Sequence, residues 1–182
     1  MEIRETANRL EEVPAEILLL FHLADEPAPR GRLGRVDWIL GSAVSRLRTR
    51  GKFAGERGTS ALLSPNNKLR ADRILVVGLG HQADLSIAAF YRLSYQAAHT
   101  VLNLRCTSIA LDLPFRAFPL APPDRVRRAF LEGFMAELRR GRPEAPLSSI
   151  SMVINLPPVL LSAQAIHMEE WPVEVPISNA LL

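Results

Sequence analysis

The stretch from Arg73 to Leu79 limits what this chain can fold into more than any other. In RILVVGLG no polar residue alternates with the apolar ones after the first, the pattern of a central strand covered on both faces. Elsewhere strand-length apolar runs alternate with longer amphipathic stretches, and no segment repeats at a fixed period. That alternation reads as α/β. A length of 182 residues suits one domain with a continuous core and is too short for two ordinary ones.

Ile17 to His22 is the first expected strand, and the two prolines and two glycines of ADEPAPRGRLG make a loop after it. From Arg35 the spacing predicts a helix with Val36, Ile39, Leu40, Ala43, Val44 and Leu47 on one face. Asp37, Ser45, Arg46 and Arg48 would face solvent, and Gly51 would close the helix. A short strand, Ser60 to Leu63, and the turn SPNNK precede the Arg73 strand. Asp84 or Ser86 is placed to cap a helix whose stripe is Ile87, Phe90, Ala97, Val101 and Leu104. Thr107 to Leu113 is another strand. Asp124 to Arg140 is a helix with Val126, Phe130, Phe134 and Leu138 on its buried face, Pro122 and Pro123 in its first turn and Gly141 at its end.

Beyond Arg142 the chain has six prolines and no basic residue. We expect residues 1–142 to form the domain and 143–182 to be a Pro-rich extension packed on it. That extension would hold a strand from Ile150 to Leu156, a short helix from Pro158 to about Glu169 and an edge strand at VEVPIS, where Pro176 is tolerable.

No apolar run approaches the roughly 18 residues needed to cross a bilayer, which argues against a membrane span. The first dozen residues carry four glutamates and oppose a secretory signal. Cys106 is the only cysteine, so no disulfide framework forms within the chain and a reducing cytoplasm is the expected compartment. Of 22 basic residues 20 are arginine, a bias that GC-rich coding explains. Their placement is more informative. Residues 1–29 carry 2 basic and 7 acidic side chains, residues 30–142 carry 20 and 8, and residues 143–182 carry none and 4. A basic body is bracketed by acidic ends, which either leave a field for nucleic acid or fold back and neutralise it.

Two glycine-bearing segments invite a phosphate. Arg30, Gly31, Arg32 and Gly34 precede the first helix, where free N–H groups and arginines meet. Gly78 and Gly80 follow the buried strand, although the third glycine of a dinucleotide fingerprint is missing and a turn-forming role is favoured. His22, His81, His99 and His167 have no metal-ligand spacing, and no metal or cofactor is expected. Cys106 reads as a small buried hydrophobe, no G-x-S-x-G elbow exists, and Glu11-Glu12 and Glu169-Glu170 read as solvated pairs.

Several pieces recur in a specific order: Asp25-Glu26-Pro27, Arg30-Gly31 with Gly34, Val36-Asp37-Trp38, Lys52-Phe53, GERG at Gly55 to Gly58, and ILVVGLG at Ile74 to Gly80. Through them the stretch from Ala15 to Leu113 resembles the N-terminal domain of the cytosol (leucyl) aminopeptidase family, the likeness fading toward Arg142. The resemblance implies a macro-domain-like fold, a three-layer α/β/α sandwich with a mixed, largely parallel central sheet. It also implies that chemistry resides in a separate C-terminal domain, where Lys, Asp and Glu hold two metal ions near an NTDAEGR-type motif. Nothing similar to that motif occurs here, so a catalytic role is not implied for this polypeptide.

The leading expectation is a non-catalytic module for self-association or for a protein partner, with the apolar tail VPISNALL as a contact. This follows from the association of the family's N-terminal domains with hexamer packing. A nucleotide or ADP-ribose ligand is the alternative, because macro domains elsewhere bind ADP-ribose. A nucleic-acid accessory role is the third reading, since some bacterial members bind DNA.

Overall fold

The computed structural model describes residues 2–6, 9–141 and 150–155. Six strands form one sheet: β1 (Glu2–Thr6), β2 (Ala15–Leu23), β3 (Ser60–Leu63), β4 (Ala71–Gly80), β5 (Ser108–Asp112) and β6 (Ser151–Asn155). Their spatial order is β1-β6-β5-β2-β4-β3. Only β3, at one edge, runs antiparallel to its neighbour; all other pairs are parallel. The helices are α1 (Gly31–Ile39), α2 (Ala43–Thr49), α3 (Ile87–Asn103) and α4 (Pro123–Gly141).

Period-two alternation in the central strands divides the core into two layers. Ile17, Leu19, Leu75 and Val77 face α3 and α4, whereas Leu18, Leu20, Ile74 and Val76 face α1, α2 and Phe53. All eight are at most 4% exposed, which is why the central strands show no polar alternation. Val126, Phe130, Phe134 and Leu138 are likewise buried, and each is worth roughly 1.5–3 kcal/mol relative to exposure. Phe130 stacks on Phe134 at 5.3 Å between ring centroids, and Phe21 meets Phe90 edge-on at 5.4 Å. Gly133 lets α4 approach α3 closely, since a Cβ there would lie 2.2 Å from the Tyr91 carbonyl oxygen. Ser86 caps α3, its Oγ accepting from the Ala89 N–H at 3.1 Å.

The single helix expected from Arg35 starts earlier, at Gly31 within the expected loop, and is in fact two. Gly41 and Ser42 adopt left-handed conformations, with φ of 65° and 63°, and this breaks the helical hydrogen bonding. Asp37 was expected on the solvent face, yet it is buried. Its carboxylate accepts the Val44 N–H at 2.7 Å, the Ser45 N–H at 3.3 Å and the Ser45 hydroxyl at 2.5 Å. It therefore supplies the cap that Ser42, at the cap position, does not.

β1 was not expected, because EIRET has little apolar signal. Backbone pairing to β6 holds it, with Glu2 opposite Ser151 and Thr6 opposite Asn155. Glu16 ties β2 to β5, accepting the Ser108 N–H at 2.9 Å and the Thr107 hydroxyl at 3.0 Å as well as the Thr107 N–H. These backbone donors hold its carboxyl below the usual range. The acidic N-terminal stretch folds onto the basic body: Glu5 pairs with Arg127 and Glu11 with Arg35. Glu11 is buried rather than part of a solvated pair.

Within the expected extension, residues 151–155 lie inside the sheet between β1 and β5. The helix expected from Pro158, the VEVPIS strand, His167, Glu169-Glu170 and the VPISNALL tail lie outside the described residues. Among the described residues no helix is long and apolar enough to cross a membrane.

Candidate functional site

Ligands of open α/β sheets sit beyond the carboxyl ends of the strands. Here β2, β5 and β6 run parallel, and beyond their carboxyl ends lies a cleft of about 340 Å³, within the range of small-ligand sites. Leu20, Phe21, Leu79 and Leu113 give it an apolar lining. Arg30, Gly31 and Arg32 form one wall, Phe115, Arg116 and Ala117 another, and Glu26, Asp112 and Asn155 add polar groups.

The Arg30 wall is the start of α1. No side chain caps that helix, so its first N–H groups and positive dipole end remain for an anion. Gly31 has φ of 60°, and the Arg116 guanidinium lies 3.5 Å from where a Gly31 Cβ would sit. Arg116 therefore reaches the helix start from the opposite wall. Arg30 and Arg116 are exposed, with no acidic partner among the described residues. Arg32 differs, its Nε lying 3.2 Å from Asp112 Oδ1 with both side chains 27% exposed. Burial pushes the Asp112 carboxyl up to about 6, with Glu11 adding to the rise and Arg32 opposing it.

The loop leading into α1 is held from below. Arg48 donates to the carbonyls of Glu26 at 2.8 Å, Ala24 at 3.1 Å and Ala54 at 3.3 Å. Asp25 accepts the Gln82 N–H at 3.1 Å. Gly34 permits the loop to lie against the helix, because a Cβ there would meet the Pro29 carbonyl oxygen at 2.6 Å. Beneath the loop His22 is fully buried, and neither ring nitrogen has a hydrogen-bond partner. Its Nδ1 is 3.7 Å from Glu26 Oε2. Burial, reinforced by Arg48, lowers its pKa.

The structure thus brings Arg30, Gly31 and Arg32 into the cleft, with Gly34 supporting them, and leaves Gly78 and Gly80 out. The Gly78 N–H donates to the Thr59 carbonyl at 2.8 Å and the Gly80 N–H to the Gly55 carbonyl at 2.9 Å. A Gly78 Cβ would lie 2.2 Å from the Glu56 carbonyl oxygen. These glycines admit the GERG segment against β4, and their donors are already taken. Gly80 instead borders a separate surface depression with Glu56, Arg57, His81 and Asp84.

Sequence reasoning missed Asp112 and Arg116. The available signal was position: Asp112 lies near the end of an expected strand, where α/β sites gather, and FRAF follows directly. Cys106 is buried, and that burial pushes its thiol up. His99 pairs with buried Glu137 at 2.6 Å. Among the described residues no three His, Cys, Asp or Glu side chains are grouped to hold a metal ion.

The sequence pattern of the cytosol aminopeptidase family, N-terminal domain, matches residues 17–138. The chain belongs to that family. A probable cytosol aminopeptidase of Geobacter sp. (strain M21) is 37% identical over 86 residues, covering 47% of this chain and 18% of the relative. One from Sulfurihydrogenibium sp. (strain YO3AOP1) is 24% identical over 135 residues, covering 74% and 26%. The chain thus spans about a quarter or less of the length of these cytosol aminopeptidases.

Among solved structures, a tomato leucine aminopeptidase variant superposes with a TM-score of 0.64 at 20% identity, over 85% of this chain and 32% of that one. The macrodomain of Mycobacterium tuberculosis DarG gives 0.65 at 13% identity over 85% and 97%. A Trypanosoma brucei macrodomain in complex with ADP gives 0.64 at 14% over 85% and 63%. The fold of this cytosol aminopeptidase N-terminal domain is macro-domain-like. The family motifs take structural roles: Asp37 caps α2, Phe53 fills the core, and Gly55 to Gly58 packs on β4.

Proposed function

We propose that the domain is a non-catalytic module that binds a small anionic ligand of the nucleoside diphosphate or ADP-ribose class in the cleft. The observation that carries this reading is the open apolar cleft whose uncapped α1 N-terminus is flanked by Arg30 and Arg116. A phosphate there would meet backbone N–H groups and two arginines without acidic partners, and a base or ribose would cover the apolar lining. The ADP complex of a macrodomain with the same fold adds support. A cytoplasmic location accords with a single buried thiol and with cytosol aminopeptidase relatives.

Ligand that binds only the folded state raises the melting temperature. ADP-ribose should do so for the native chain and not for the Arg30→Ala/Arg116→Ala variant, whose changes are at exposed positions. No shift at millimolar ADP-ribose would refute the reading. An aminopeptidase assay with and without divalent metal checks the non-catalytic part, and metal-dependent hydrolysis would overturn it.

Self-association or a protein partner is the second reading, favoured by Trp38, which is 80% exposed on α1. Light scattering after size-exclusion chromatography tests it, and a strict monomer that captures no aminopeptidase would count against it. The nucleic-acid reading loses support from the Glu5–Arg127 and Glu11–Arg35 pairs, which neutralise part of the basic body.

A further inference from the structure

Of the three arginines that line the cleft, Arg32 alone is engaged by an acid among the described residues, and that acid is inside the cleft. We propose that Asp112 competes with the ligand's phosphate for Arg32, so that ligand entry is coupled to uptake of one proton by the Asp112 carboxylate. The inference rests on the cleft reading above and adds a regulation to it.

The geometry sets up the competition. Asp112 and Arg32 are both about a quarter exposed, with 3.2 Å between charged atoms, so the pair is neither buried beyond ligand reach nor fully solvated. An anion at the α1 N-terminus would bring a second negative charge onto a guanidinium that already serves one. Like charges sharing a partly desolvated site resist joint ionisation. A proton from solvent on Asp112 removes the conflict and frees Arg32.

Of the charged groups facing Asp112, Glu11 favours that outcome and Arg32 opposes it. Arg32 approaches from α1. Glu11, in the turn Leu10–Glu12, opposes ionisation of Asp112 and is itself held by Arg35. Glu26, Arg30 and Arg116 line the same cleft, while Asn155 from β6 is neutral. Because burial already holds the Asp112 carboxyl near 6, protonation near neutral pH needs little driving force.

ADP-ribose is a suitable probe, since its pyrophosphate carries no titrating proton between pH 5.5 and 7.5. Titration calorimetry in two buffers of different ionisation enthalpy counts the protons taken up. The native chain should take up about one per ligand at pH 7.5. If only the protonated form binds, its affinity should fall about 25-fold from pH 5.5 to 7.5. Asp112→Asn should bind with no proton uptake and a flat pH profile. The carbon-13 carboxyl signal of Asp112 in the native chain gives a readout that needs no variant, and its midpoint should rise on adding ADP-ribose. Binding without proton uptake, with an unmoved Asp112 midpoint, would overturn this inference and leave the cleft reading standing. Absence of binding at both pH values would overturn the cleft reading and this inference with it.

Discussion

Asp37→Ala should cost the fold more than its place on a short helix suggests. The side chain is 6% exposed and accepts hydrogen bonds from the Val44 N–H, the Ser45 N–H and the Ser45 hydroxyl. Losing an N-cap costs about 0.5–2 kcal/mol, and hydrogen bonds to a charged acceptor contribute about 1.5–3 kcal/mol each before overlap between the two accounts. A combined loss of about 3 kcal/mol is expected, since Ser42 makes no substitute cap. At roughly 2–4 °C per kcal/mol for a domain of this size, the melting temperature should drop by about 6–12 °C. Asp37→Asn keeps one acceptor oxygen and should lose about half as much. Thermal melts followed by circular dichroism at pH 7.5, with amide exchange at Val44 and Ser45, make the measurement. A melting temperature within about 2 °C of the native value would refute the account of how α1 is joined to α2.

Gly133→Ala should force α3 and α4 apart, because the new Cβ would sit 2.2 Å from the Tyr91 carbonyl oxygen. Overpacking of this kind costs about 1–3 kcal/mol, and a native-like melting temperature would show that the helices are not so closely apposed. His22→Met should flatten the acid side of the stability profile. Burial lowers the His22 pKa in the folded state, while the unfolded chain takes up a proton below about pH 6.5. The stability this gives is present above that pH and is lost as pH falls. Between pH 7.5 and 5 the native chain should lose more stability than the variant, with a ceiling of about 2 kcal/mol set by a histidine neutral in the folded state throughout. Equal losses in urea titrations at pH 7.5 and pH 5 would rule out His22 as the source.

The parts of the fold legible in the sequence were those with regular periodicity. Val126, Phe130, Phe134 and Leu138 announce α4, and the run from Ile74 to Leu79 announces a strand between two layers. The α1–α2 break was hidden because it depends on Gly41 and Ser42 in left-handed conformations and on a carboxylate reaching seven residues ahead. β1 was hidden because it is held chiefly by pairing with β6, with Ile3 as its single apolar side chain against the core. One wall of the cleft was readable as a segment, Arg30 to Arg32, although the segment proved to be the first turn of α1 rather than a loop before it. Asp112 and Arg116 could not be attached to it from spacing, because the parallel crossover connections bring them there from about 80 residues away. Gly78 and Gly80 followed the opposite course: a motif suggestive in the sequence proved to be a packing surface.

β1 is joined to the sheet through β6, across an interval of 149 residues from Glu2 to Ser151. Closing a chain loop that long costs about 4 kcal/mol in entropy, and contacts so distant in sequence form late. During synthesis β1 must wait for its partner until all the chain between them and β6 itself have left the ribosome. Asn155, whose amide donates to the Thr6 carbonyl at 3.1 Å, also borders the cleft. The pairing that spans the longest stretch of sequence is therefore also the one that braces the cleft wall at Asn155, so that wall is complete only once β6 has been made and has met β1.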